Sequence, residues 1–140
     1  MGQQPVQRQT TVIPLTASGL ALPRGHYSHA TLAGDMMFIS GQLGVRPDGS
    51  HTAGQAFEVQ ARQTLANLMA ILGAAGCGPE HVAKVTVFIV GMEHWAALNE
   101  LYVEFFGENR PARSVVPVNP LHFGYLVEIE AVARLPHGLG

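Results

Sequence analysis

His81–Val90 reads HVAKVTVFIV. This run is rich in β-branched residues and reads as a strand. Its alternation sets Val85, Val87 and Ile89 on one face and Val82, Lys84, Thr86, Phe88 and Val90 on the other. Both faces carry apolar groups, so the sheet that contains this strand is expected to be partly buried on both sides. The flanking segments supply one cover. From Gln55 to about Ala75, Phe57, Ala61, Leu65, Leu68 and Leu72 recur at steps of three and four, while Glu58, Arg62 and Asn67 fall elsewhere; that spacing predicts a long amphipathic helix. Gly73 and Gly76 weaken and then stop it. A second helix is expected from about Glu93 to Phe106, with Trp95, Leu98, Tyr102 and Phe105 on one stripe and Gly107 and Pro111 at its end.

The remaining segments read as strands. TTVIPL is a short β-branched run ended by Pro14, and YSHATLAGDMMFISG reads as two strands joined at Gly34-Asp35, followed by a turn at RPDGS. RSVVPV and YLVEIEAVARL complete the set. Two helices cover only one face of such a sheet. In the last strand Val127, Ile129, Ala131 and Ala133 point one way and Glu128, Glu130, Val132 and Arg134 the other, so the second face is mixed. A solvated sheet face is the plain reading of Glu128 and Glu130. The apolar second face of the 81–90 strand points instead to a second subunit as its cover.

The chain has 140 residues, the size of a single domain, expected here over residues 10–136 after a polar, Gln-rich tail at residues 1–9. Apolar residues make up 47% and charged residues only 13%, a low charge content that again favours oligomerisation. A net charge of −2 with scattered basic residues gives no electrostatic footprint for nucleic acid. The apolar runs are too short to span a bilayer and the N-terminus lacks a signal-peptide core, so a soluble, cytoplasmic protein is expected, with no membrane partner. Cys77, the one cysteine, lies between two glycines and reads as structural.

The seven histidines form no HExxH and no Cys/His finger spacing, Ser40 in ISGQ is not in a GxSxG elbow, and no GxGxxG joins a strand to a helix. Neither a metal nor an organic cofactor is expected. What is left is carboxylate and guanidinium chemistry. Arg113, at the start of a buried strand, can bind a planar carboxylate through two parallel hydrogen bonds, or it can pair internally with Glu128 or Glu130. A glutamate on a neighbouring strand can orient and deprotonate a water, provided burial keeps its pKa suited to base work.

GHYSHA, ISGQ, QARQTLANLMAILGAAG, VAKVTVFI, LNELYVEFF, PARSVVPV and LVEIEAVA occur in the order, and nearly at the spacing, of the reactive intermediate deaminase (RidA, or YjgF) family. The resemblance spans roughly residues 25–134. It implies an α+β, chorismate-mutase-like fold, a mixed β-sheet with two helices packed on one face, assembled as a homotrimeric barrel with sites between subunits. It implies that Arg113 binds the substrate carboxylate, that Glu128 positions the attacking water with help from the backbone carbonyl of Val115, and that Tyr27, Ser40 and Gly41 line the pocket. The implied reaction is hydrolysis of 2-imino acids, in equilibrium with 2-aminoacrylate-type enamines, to 2-keto acids and ammonia.

The chain departs from the family's usual pattern at several positions. His26 and His29 stand in place of proline and glutamine, Val115 in place of cysteine, His122 in place of proline, and the segment from Phe106 to Arg113 is short. These departures bear on substrate choice. PRGHYSH also resembles a stretch of 2-aminomuconate deaminases, in which case His29 would serve a second carboxylate. Another alternative is a trimeric module that binds a small carboxylate or a protein without turnover. An RNA-cleaving role, also attached to the family, fits the acidic balance poorly.

Overall fold

The computed structural model describes residues 11–136; the tail expected at residues 1–9 lies outside them. Six strands form one sheet in the order β1-β2-β3-β6-β4-β5, with β1 at Ile13–Leu15, β2 at Ala30–Ala33, β3 at Met36–Gln42, β4 at Val82–Ile89, β5 at Ala112–Pro117 and β6 at Val127–Arg134. Pairings are antiparallel except between β4 and β5. Two helices, α1 at Phe57–Ala74 and α2 at Trp95–Phe106, pack on one face. The fold is α+β, as expected.

The periodicities explain the layering. The α1 stripe of Phe57, Ala61, Leu65, Leu68 and Leu72 is buried against Met37, Ile39, Val85, Val87, Ile129 and Ala131. On the opposite face Phe38 and Val116 are exposed, and Thr86, Phe88, Glu128 and Val132 are half-buried. Gly34, at φ +60°, makes the β2–β3 turn, and Gly76, at φ +74°, follows α1 while Cys77 N–H returns to the Leu72 carbonyl at 2.9 Å. Cys77 is buried, and burial pushes its thiol pKa up, in keeping with a structural role.

Two residues depart from the simple periods. Val82 pairs with Ala133 whereas Lys84 pairs with Val132, so Ala83 is an extra residue and Val82 turns into the core. Asn67, expected off the apolar stripe, is buried, as are Gln60 and Thr64. Asn67 Nδ2 donates to the carbonyls of Leu43 and Val45, at 3.1 and 2.8 Å. Gln60 Oε1 accepts from Leu126 N–H at 2.9 Å while its Nε2 donates to the Gln55 carbonyl. These buried polar groups fasten the loops after β3 and before β6, at one end of the sheet, to α1, and each is satisfied.

Candidate functional site

A cleft of about 680 Å³ opens on the helix-free side, and Tyr27, Ser40, Gly41, Phe88 and Glu128 line it. A register shift between Ile39 and Gln42 puts one extra residue into β3 opposite β6. This bulge turns the Ser40-Gly41 backbone toward Glu128. A Cβ built on Gly41 would stand 3.0 Å from the Glu128 carboxyl carbon and from Oε2. The carboxylate therefore lies across a bare stretch of backbone that only glycine leaves open. Ser40 Oγ donates to the Ser28 carbonyl at 2.6 Å and Ser40 N–H to the His29 carbonyl at 3.0 Å, which clips the Tyr27 segment to the sheet.

Glu128 accepts no hydrogen bond from the described residues. Burial, and then the neighbouring Glu130 carboxylate, hold its pKa above the ordinary carboxylate value, with His122 acting in the opposite sense. The group is an unpartnered base with its affinity for protons raised. Glu130 forms no ion pair among the described residues, so the internal pairing considered for it is not made.

Arg113 lies elsewhere. It pairs in register with Val85, on the helix-covered face, whereas Glu128 pairs with Phe88 on the open face. An internal Arg113–Glu128 or Arg113–Glu130 ion pair is therefore excluded, because the sheet lies between the groups. The Arg113 guanidinium is packed between two aromatic rings of α2, 5.3 Å from the Trp95 centroid and 4.8 Å from that of Tyr102. Such packing orients its fork of donors without consuming it. The Tyr102 hydroxyl is buried with no partner among the described residues, and its pKa is pushed up to about 12, burial outweighing the Arg113 charge.

Val118 N–H donates to the Ile89 carbonyl at 3.0 Å. Since strand amides alternate, the even-numbered residues of β5 turn their backbone toward β4, and Arg113, Val115 and Pro117 turn theirs to the free edge of the sheet. The Val115 carbonyl is thus available to a group approaching that edge. Pro117, which has no N–H to offer, sits where none is needed.

His29 is 4% exposed and both ring nitrogens are committed: Nδ1 accepts from Ala17 N–H at 3.0 Å and Nε2–H donates to the Ala21 carbonyl at 2.9 Å. This fixes a neutral tautomer. The second-carboxylate role considered for His29 fails, since it has no free donor. His26 and His122 are exposed.

Residues 19–135 match the family model described as Endoribonuclease L-PSP. The chain belongs to the reactive intermediate deaminase family. Among RidA-family relatives, a RutC family protein of Pyrococcus horikoshii is 44% identical over 79% of this chain and 88% of its own length. The human 2-iminobutanoate/2-iminopropanoate deaminase is 38% identical over 78% of this chain and 80% of its own. The crystal structure of E. coli TdcF with bound serine superposes at a TM-score of 0.80 with 37% identity, covering 89% of this chain and 98% of that one. The RidA fold expected from PARS and VEIEA is thereby confirmed in the chain. Among the described residues, no helix is long and apolar enough to cross a membrane.

The sequence reading assigned no role to Arg24 or Phe123, which also line the cleft. Phe123 holds φ +60°, a conformation an aromatic residue seldom adopts. In the sequence Arg24 fell within PRGHYSH and Phe123 within the departure from the family pattern at Leu121–Tyr125.

Proposed function

We propose that this protein hydrolyses 2-imino acids of the 2-aminoacrylate type to 2-keto acids and ammonia, at sites shared between the subunits of a homotrimer. The observation that carries the reading is the separation of the two functional groups. Glu128 opens into a cleft on one face, while Arg113 and the Val115 carbonyl stand at the β5 edge on the other. Neighbouring copies would bring the β5 edge of one against the open face of the next, which would also cover Phe38 and Val116.

In that arrangement Arg113 binds the α-carboxylate through its paired donors. Glu128 and the Val115 carbonyl of the adjoining subunit hold a water against the imine carbon. Glu128 takes a proton from the water as the C–O bond forms, then returns it to nitrogen. The carbinolamine collapses to the C=O bond, expelling ammonia. The atoms balance as imino acid plus water giving keto acid plus ammonia. The imine is already electrophilic, so the protein's contribution is orientation and a positioned base. The name of the human relative supports this choice of substrate.

Serine bound in the E. coli TdcF structure favours a second reading, a module that holds small carboxylates without turnover. The two readings separate on one assay. Enzymatically generated 2-iminobutanoate is followed by absorbance and ammonia release with the parent, Arg113→Ala and Glu128→Gln. Hydrolysis requires acceleration by the parent and its loss in both variants. No acceleration by the parent, together with binding of 2-oxobutanoate that Glu128→Gln leaves unchanged, leaves only the binding module.

A further inference from the structure

Hydrolysis of a C=N bond moves protons at two places, the attacking water and the departing nitrogen, and the scheme above asks Glu128 to serve both. The cleft holds a second group able to carry a proton. His122 lines it together with Glu128 and Glu130, and its imidazole is near enough to Glu128 to act on it electrostatically. Among the described histidines, the ring nitrogens of His29, His51 and His81 hold hydrogen bonds. Those of exposed His122 hold none and are free for a ligand.

The turn that carries this imidazole is held in place. His122–Gly124 is a single 3₁₀ turn in which Phe123 stands at φ +60°, a backbone conformation that persists only where its surroundings over-determine it. Those surroundings are a row of rings: His122 lies 3.8 Å from Phe123, and Phe123 lies 4.6 Å from His51. His51 is itself fastened, with Nδ1 2.8 Å from the buried Tyr125 hydroxyl and Nε2 3.4 Å from Arg24 Nη1. Tyr125 N–H closes the turn on the His122 carbonyl at 3.3 Å, and β6, which carries Glu128, begins at Val127. One short, braced segment therefore presents both an imidazole and a carboxylate to the same cleft.

We propose that His122 is a second catalytic residue, a general acid–base that serves the substrate's nitrogen and hydroxyl while Glu128 serves the water. The proposal rests on the deaminase reading above. In the addition step the water oxygen bonds to the imine carbon, Glu128 takes the water's proton, the C=N π pair moves to nitrogen, and the His122 imidazolium protonates that nitrogen. In the elimination step Glu128 returns its proton to nitrogen and neutral His122 takes the hydroxyl proton. The C=O bond forms as the C–N bond breaks, with its electron pair leaving on ammonia. Both side chains end as they began, and an imidazole is the side chain suited to passing a proton in both directions near neutral pH.

Two substitutions test this. His122→Ala removes the ring. His122→Pro installs the residue usual in the family's pattern, and the backbone accepts it: Leu121, at φ −83° and ψ 169°, has the extended conformation required before proline, and the His122 N–H bonds no described group. Hydrolysis of enzymatically generated 2-iminobutanoate is measured for the parent and both variants, with and without added imidazole. In both variants kcat is expected to fall about tenfold with little change in KM, less than the ~100-fold that a positioned proton donor often contributes, because Glu128 still returns a proton to nitrogen. Free imidazole should restore His122→Ala, where the truncated side chain leaves room for it, and leave the parent unchanged. Parental kcat in either variant, or a loss in His122→Ala that imidazole does not restore, overturns the role of His122. Hydrolysis that is lost in Glu128→Gln but intact in both His122 variants overturns His122 alone, whereas no hydrolysis by the parent overturns the deaminase reading and His122's role with it. Melting temperatures matching the parent's show that a loss of rate is not a loss of fold.

Discussion

Arg113 and Glu128 lie on opposite faces of the same sheet: Arg113 pairs with Val85 over the helices and Glu128 with Phe88 over the open cleft. A single chain therefore cannot place both groups on one small substrate. The elevated proton affinity of Glu128 and the bare backbone at Gly41 belong to the open face, and the aromatic packing of Arg113 belongs to the helix-covered one.

The pH dependence follows from Glu128. It must be ionised to act as a base, so the acid limb of kcat/KM is expected above the ordinary carboxylate range. A raised folded-state pKa also means that the ionised group costs stability. That cost is absent below the unfolded pKa and fully present above the folded one. Glu128→Gln should therefore raise the Tm at neutral pH, with the gain shrinking as pH falls into the ordinary carboxylate range. Thermal melts across pH check the sign; a Tm gain that grows toward acid pH would contradict it.

Gly41→Ala should keep the fold and impair the chemistry. Its backbone needs no positive φ, but the new methyl would sit 3.0 Å from the Glu128 carboxyl and displace it by a few tenths of an ångström. Misplacement of a reacting group on that scale is expected to cost roughly tenfold in kcat. Steady-state kinetics beside a melting curve would show the activity falling while Tm stays close to that of the parent.

Trp95→Leu removes one of the rings flanking Arg113. A cation over an aromatic face is worth about 0.5–2 kcal/mol. In the proposed site the loss falls on the group that would hold the carboxylate, so KM should rise about twofold to thirtyfold with a smaller change in kcat. Kinetics on one imino acid would resolve the split.

Asn67→Leu leaves the Leu43 and Val45 carbonyls without their donor. Orphaned buried acceptors cost about 1–3 kcal/mol, and a destabilisation of that size is expected in urea unfolding. A change below about 0.5 kcal/mol would mean that the 43–45 loop finds other partners.

Strands, helices and the covered face were legible because apolar residues recur at periods of two and 3.6, which act over a whole element. The 127–134 strand and the Phe57 stripe fell where their spacing put them. Asn67 and Val82 were not legible, for two separate reasons. A buried amide is set by which loop carbonyls need a donor, and a bulge such as that at Ala83 shifts parity without any residue to mark it. Tyr27, Ser40, Gly41 and Glu128 line one cleft, whereas the motifs' spacing gave no hint that Arg113 faces away from them. Facing is a property of register between strands, and register between β4 and β5 is absent from either strand's own sequence.

Subunit complementation tests the shared site most directly. Arg113→Ala and Glu128→Gln are each expected to be inactive as homotrimers, yet when the two are co-expressed or mixed after denaturation, some interfaces join an intact Arg113 to an intact Glu128. Random assembly at equal amounts would place the intact pair at about a quarter of the sites. Imine hydrolysis restored to about a quarter of the parental rate is the result expected. Mixed trimers, verified by mass, that show no activity above either variant would contradict a site built from two subunits.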